Sequence, residues 1–203
     1  FNDLMLLFAL PATGFGLAET VFGNHRRLSK LIAEGGLDGY LTLPRDVLLS
    51  VITARTNVSA IGDCIFGAGL FFLIQELSTY RVAIYLFGSV TAALIWVSFS
   101  VLVSSLSFLF GNVEIFAGQV SNALITFSLY PPKIFQGLTR VLLYTAIPAG
   151  FLCYLPVSLV YRFNWNVLAA ILAFTGGIMF VSRLVFSIGL KKYESGNLLV
   201  LKM

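Results

Sequence analysis

Glu19, His25, Asp63, Glu76 and Arg183 are ionisable side chains that stand within or beside long apolar runs of this chain. Charge is costly in hydrocarbon, so such groups are the first place to look for chemistry in a membrane. Glu19 and Asp63 fall near one end of their runs and Glu76 near the opposite end, where water or headgroups reach them, and they read as interfacial anchors or structural pairs. Arg183 is deeper and would either pair with an acidic group or stretch its head group to the interface. An alternative makes Asp63, Glu76 and Arg183 the intramembrane site of an enzyme acting on a lipid, which requires the three to converge in space. His25 sits beside Arg26 and Arg27 with no second ligand at metal spacing, so it is assigned no chemistry and no metal site is expected. Cys64 and Cys153 each lie in an apolar run, outside any CxxC pattern, and read as small packing residues. The chain contains no G-x-x-x-x-G-K-[ST] phosphate loop, no HExxH and no GxSxG, so neither ATP binding through that loop nor a hydrolytic enzyme is the expectation.

The elements that must position these residues are set by composition. Of 203 residues, 58% are hydrophobic and 11% charged, and the mean hydropathy is +0.93; a soluble domain carries about 25% charge. Too few charges remain to cover even one water-exposed domain, so lipid must cover the rest. The net charge of +4 comes from basic residues separated by long apolar runs rather than interleaved with aromatics, which argues for membrane topology and against nucleic acid.

A bilayer core of about 30 Å needs about 20 apolar helical residues. Five segments qualify: 1–22 (with Pro11, Gly14 and Gly16, a predicted kink), 57–77, 82–110, 141–160 (with Pro148 and Pro156) and 167–190. The third exceeds one crossing and would tilt or extend beyond the bilayer. Arg26, Arg27, Lys30, Arg45 and Arg55 crowd into the 23–56 connection, which the positive-inside rule makes cytoplasmic. Alternation then places 111–140 and the tail from Lys191 inside. Only Arg81 and Arg162 fall outside, with Arg183 inside the last span. Five spans with a cytoplasmic C-terminus leave Phe1 outside, so six spans are expected, with one upstream. No internal repeat or soluble domain boundary interrupts this single membrane domain.

The 23–56 connection is more than a tether. Asn24 is placed to cap a short basic helix from His25 to Glu34, on which Leu28, Leu31 and Ile32 recur at three and four residue spacing. Gly35 and Gly36 can end it. Leu37, Asp38, Gly39 and Tyr40 form a turn, and Pro44 suits the first turn of a second helix whose stripe is Val47, Leu48, Val51 and Ile52. This is either an interfacial helix pair on the headgroups or a docking surface for a cytoplasmic partner. In 111–138, Asn112 can cap a helix with Val113, Phe116, Val120, Leu124 and Phe127 along one face, until Tyr130-Pro131-Pro132 breaks it. That helix would lie on the inner leaflet or add a second partner contact.

The run Leu31-Ile32-Ala33-Glu34-Gly35-Gly36-Leu37-Asp38-Gly39-Tyr40-Leu41-Thr42-Leu43-Pro44 resembles the "acidic-Gly-x-Leu-Asp-x-x-Leu-x-x-Pro" loop of ABC-2-type transporter permeases. Asn122 to Phe135 with Ile147-Pro148-Ala149-Gly150-Phe151 and Tyr154-Leu155-Pro156-Val157 is similar to a second motif of a bacterial branch of that family. Leu190 to Asn197 is similar to a third. The resemblance implies an all-α, polytopic helical bundle of the type V exporter kind. It implies one permease half of six spans, paired with an identical or related permease in the inner membrane, and an exporter driven by a separate ATP-binding subunit that carries the ATP and Mg. This chain itself would bind no cofactor. The resemblance also assigns coupling to that ATPase to Arg27, Leu28, Lys30, Leu31, Ile32, Glu34, Gly35, Gly36 and Leu37, with Asp38, Tyr40 and Pro44 shaping the loop. An exposed stripe of Leu28, Leu31 and Ile32 rimmed by Arg27, Lys30 and Glu34 would fill a groove on the partner.

Overall fold

A computed structural model describes residues 2–74 and 78–193. Every regular element among them is helical, in keeping with the all-α expectation. In chain order the helices are α1 (Asn2–Phe22), α2 (Leu28–Ala33), α3 (Asp38–Leu41), α4 (Val47–Ile52), α5 (Ala60–Phe72), α6 (Thr79–Ser104), α7 (Ser107–Phe110), α8 (Glu114–Leu129), α9 (Gly137–Leu142), α10 (Leu155–Tyr161) and α11 (Trp165–Leu190). Three stretches are long and apolar enough to cross a membrane: Leu4–Phe22, Thr79–Phe110 and Trp165–Leu190. They correspond to the first, third and fifth of the expected spans.

The other two expected spans are shorter or broken apolar helices among the described residues. The 57–77 segment is helical over the 13 residues of α5, about 20 Å at 1.5 Å per residue, short of a full crossing. Its start is held back by a polar turn in which the Ser59 hydroxyl donates to Asn57 Oδ1 at 2.7 Å, and Gly62, Gly67 and Gly69 weaken helix propagation. The 141–160 segment is divided. α9 ends at Leu142, the chain turns back, and a wide π-type turn over Gly150–Tyr154 runs into α10. Pro148 has no N–H to donate and biases Ile147 away from helix. The Ile147 N–H instead reaches back to the Leu142 carbonyl at 2.9 Å. By contrast, Pro11 does not interrupt α1.

α1 lies between α5 and α6, and α6 also carries α10 and α11. Lipid tails are as apolar as leucine, so bundles in membranes are held by close packing rather than by escape from water, and small residues at the contacts permit it. A Cβ on Gly16 of α1 would come within 2.6 Å of the Cys64 backbone nitrogen in α5, and one on Gly67 of α5 within 2.6 Å of the Ala9 carbonyl in α1. Each glycine therefore seats the opposing helix. Farther along, Phe71 and Tyr85 stack with centroids 3.9 Å apart, and the Tyr85 hydroxyl is bonded to that of Thr13. Leu10, Ile95, Leu159 and Ile171 are fully buried between the helices. α11 is mostly turned outward, with only 17% of its apolar window buried.

α8 shifts its expected face: Leu124 is buried and Val120 and Phe127 are half-buried against the core, as the stripe predicts. Its buried row is Ala117, Ser121, Leu124 and Ser128, whereas Phe116 is exposed. In a bundle of this kind small residues face neighbouring helices and bulky ones face outward. Asn112 does organise its start, accepting from the Glu114 N–H at 3.0 Å.

Candidate functional site

The 23–56 connection folds back on the bundle as a body of its own. Its two ends meet. The Asn57 N–H donates to the Glu19 carbonyl at 3.1 Å, and the Asn24 N–H donates to that of Ile52 at 3.3 Å. The Asn24 side chain, expected to cap a helix, makes no such cap and instead donates to the Val51 carbonyl at 2.8 Å. Joining the strands of the loop outranks capping here, because buried backbone carbonyls need a donor.

Beneath this closure lies a polar node between α1 and α6. Glu19 and His25 are both buried, at 1% and 0% exposure. Glu19 Oε1 receives His25 Nε2 at 3.1 Å and Arg26 Nε at 2.5 Å, while His25 Nδ1 faces Ser100 Oγ at 2.7 Å. A carboxylate only accepts, so Nε2 carries the proton toward Glu19. The Arg26 guanidinium also covers the rings of Phe15 at 5.3 Å and Trp96 at 5.9 Å, within the range of a cation–π contact. Of the two readings of Glu19, interfacial anchor or structural pair, the structure shows the pair, and His25, assigned no chemistry, has a structural role in it. Burial makes full pairing obligatory for both. The sequence signal was there in Glu19, His25 and Arg26 at helix-end spacing, but Ser100 lies 75 positions away.

Further contacts tie the loop to the other long helices. Ser29 Oγ meets Ser107 Oγ at 2.7 Å, just beyond the end of α6. The Leu37 N–H donates to the Tyr193 hydroxyl at 3.2 Å, and burial pushes the Tyr193 phenol up, with the hydrogen bond to Asp38 acting in the same direction. Arg183 of α11 reaches Asp46 Oδ2 at 2.5 Å, and Asp46 also caps α4 by accepting from the Leu49 N–H at 3.0 Å. Pro44 lies ahead of that helix rather than in its first turn, so the capping role belongs to Asp46.

The proposed coupling residues divide by exposure. Leu28, Ile32 and Leu37 are buried at 0%, 4% and 0%, so the expected exposed stripe of Leu28, Leu31 and Ile32 is corrected. Those side chains hold α2 to the bundle, and Leu31 alone is partly open. What faces outward is charge. Arg27, Lys30, Leu31, Glu34 and Glu114 line a groove of ≈ 320 Å³ between α2 and the start of α8, with Lys30 and Glu34 3.9 Å apart. Gly35 takes φ +74° and ends α2, as its position predicts, and the Gly36 N–H returns to the Leu31 carbonyl at 2.8 Å. Asp38 and Pro44 are exposed and Tyr40 is half-buried against the core.

The described residues do not bring the intramembrane enzyme site together. Arg183 is held by Asp46 and is not among the residues around the cavity that Asp63 lines. Glu76 falls outside the described residues, as does the Glu194 to Asn197 part of the tail motif. No cluster of three or more histidine, cysteine or acidic side chains that could hold a metal occurs among the described residues.

A family model described as "ABC-2 family transporter protein" matches residues 1–196. No curated protein matches the chain, and no solved structure does.

Proposed function

Because the chain belongs to the ABC-2 family of transporter proteins, a family of membrane permeases that work with an ATP-binding subunit, we propose that it is the permease half of an exporter in the cytoplasmic membrane. The 23–56 body is its coupling element. A separate ATPase docks on the outward charges of that body, hydrolyses ATP, and the resulting displacement repacks the helices around the substrate. The permease half has six spans, with short α5 and the broken 141–160 segment serving as two of its crossings, and pairs with a second, identical or related permease, and its tail is cytoplasmic.

One observation carries this reading. The body is fastened to all three long helices: to α1 through Glu19, to α6 through Ser100, and to α11 through the Asp46–Arg183 pair. A push on the loop therefore reaches all three together. The buried Leu28, Ile32 and Leu37 make the body stiff enough to pass on force, while Arg27, Lys30 and Glu34 fix where the partner sits. Charges at such a rim set register and encounter rate more than affinity.

The test is Arg27→Glu with Lys30→Glu, which turns a groove of two positive and two negative side chains wholly negative without touching the buried anchors. The paired variant should remain folded, lose co-purification of the ATPase, and lose ATP-driven transport in reconstituted vesicles. Retained co-purification and transport would sink the docking role.

A further inference from the structure

An apolar cavity of ≈ 260 Å³ opens between α1, α5, α6 and α8, and Asp63 is its one ionisable lining residue. Phe8, Phe15, Phe66 and Trp96 supply aromatic walls and Ser128 a hydroxyl. Asp63 forms no ion pair or hydrogen bond among the described residues. Trp96 is buried, and its indole Nε1–H has no partner among the described residues. Asp63 is half-buried, so water reaches it, and its negative charge, with no counter-charge beside it, attracts a cation entering the cavity. Aromatic faces attract cations, and ligand cavities are mostly apolar with a few placed polar groups. Two of these rings already hold a cation: Arg26, which is not in the lining, lies over Phe15 and Trp96 and is neutralised by Glu19.

We propose that this cavity binds a lipophilic cation, an organic ammonium whose charged end lies at Asp63 and whose apolar body lies against Phe8, Phe15, Phe66 and Trp96. A neutral acyl chain would fit the walls but leave Asp63 uncompensated, and an anionic headgroup would be repelled by it. As a binding site the cavity stands independently. As the place where cargo is held, it rests on the transport reading given above.

The test uses the whole permease in nanodiscs carrying Trp165→Phe, which leaves Trp96 as the only tryptophan of this sequence. The probes are 4-phenylbutyltrimethylammonium and its neutral counterpart, 4-phenyl-1-butanol. The cation should change Trp96 emission saturably and more tightly than the alcohol. Asp63→Asn should weaken the cation by about tenfold or more, the scale of one good charge contact, and leave the alcohol unchanged. Asp63→Glu should restore the cation, and Ala12→Phe, which fills the cavity from α1, should abolish both signals. Equal binding of the two probes, or an Asp63→Asn variant with unaltered cation affinity, overturns the proposal. Charge-selective binding without ATP-driven movement in vesicles containing the ATPase would instead overturn the transport reading and leave the site standing.

Discussion

His25 joins α1 to α6: its ring lies between Glu19 Oε1 at 3.1 Å and Ser100 Oγ at 2.7 Å, fully shut off from solvent. His25→Ala strips one partner from a buried carboxylate, leaves a buried hydroxyl unpaired and opens a void. The expected loss is on the order of 2–4 kcal/mol, read as a lower thermal midpoint in detergent. His25→Gln, able to meet one neighbour, should fall between the two. An unchanged midpoint for His25→Ala would show that the node holds nothing.

Asp46 does two things and Arg183 one. The pair lies at the surface of the bundle rather than in its core, at 62% for Arg183 and 32% for Asp46, so where water reaches it Arg183→Ala should cost under about 1 kcal/mol. Asp46→Ala also removes the cap of α4 and should cost about 1 kcal/mol more. Asp46→Asn keeps the cap and should match Arg183→Ala. If Asp46→Asn is as harmful as Asp46→Ala, the cap contributes nothing.

Gly16 of α1 and Gly62 of α5 both look like ordinary helix glycines. A methyl group on Gly16 would strike the Cys64 backbone, while nothing lies within 4 Å of one on Gly62. Gly16→Ala should lower stability by about 1–3 kcal/mol through overpacking. Gly62→Ala should be neutral or raise it by up to about 1 kcal/mol through helix propensity. Thermal unfolding of both variants decides it, and equal behaviour would contradict the α1–α5 contact.

The groove formed by Arg27, Lys30, Leu31, Glu34 and Glu114 presents charges of both signs. Association with the ATPase should therefore weaken several-fold as salt rises from about 0.05 M to about 0.5 M, since screening lengths shrink over that range. Salt-independent association would place the contact on an apolar surface elsewhere.

The long helices were legible because hydropathy over 20 residues is a strong signal, and α1, α6 and α11 lie where it predicts. The failures have local causes. Leu28 and Ile32 recur at helix spacing, but that spacing marks an apolar face without saying whether the chain or a partner covers it. On α8, Ala117 and Ser121 look like the polar side by the rules of water-soluble helices, yet membrane packing turns small residues inward. Pro148 was visible, but the return of the Ile147 N–H to Leu142 depends on a turn set by tertiary contacts. The node was hidden because Ser100 is separated from His25 by a whole helix.

The chain leaves α1 and re-enters the bundle at nearly one point, where Glu19 and Asn57 share a hydrogen bond of 3.1 Å and Asn24 and Ile52 one of 3.3 Å. An excursion whose ends coincide can be exchanged as a cassette without altering the spacing of the flanking helices. The key to the lock stays behind in the bundle, in Ser100, Ser107 and Arg183. A grafted loop would need its own counterparts of His25, Ser29 and Asp46 to engage them. On the proposed coupling role, adapting such a permease to a different motor becomes a matter of swapping one short insert while preserving three side-chain matches.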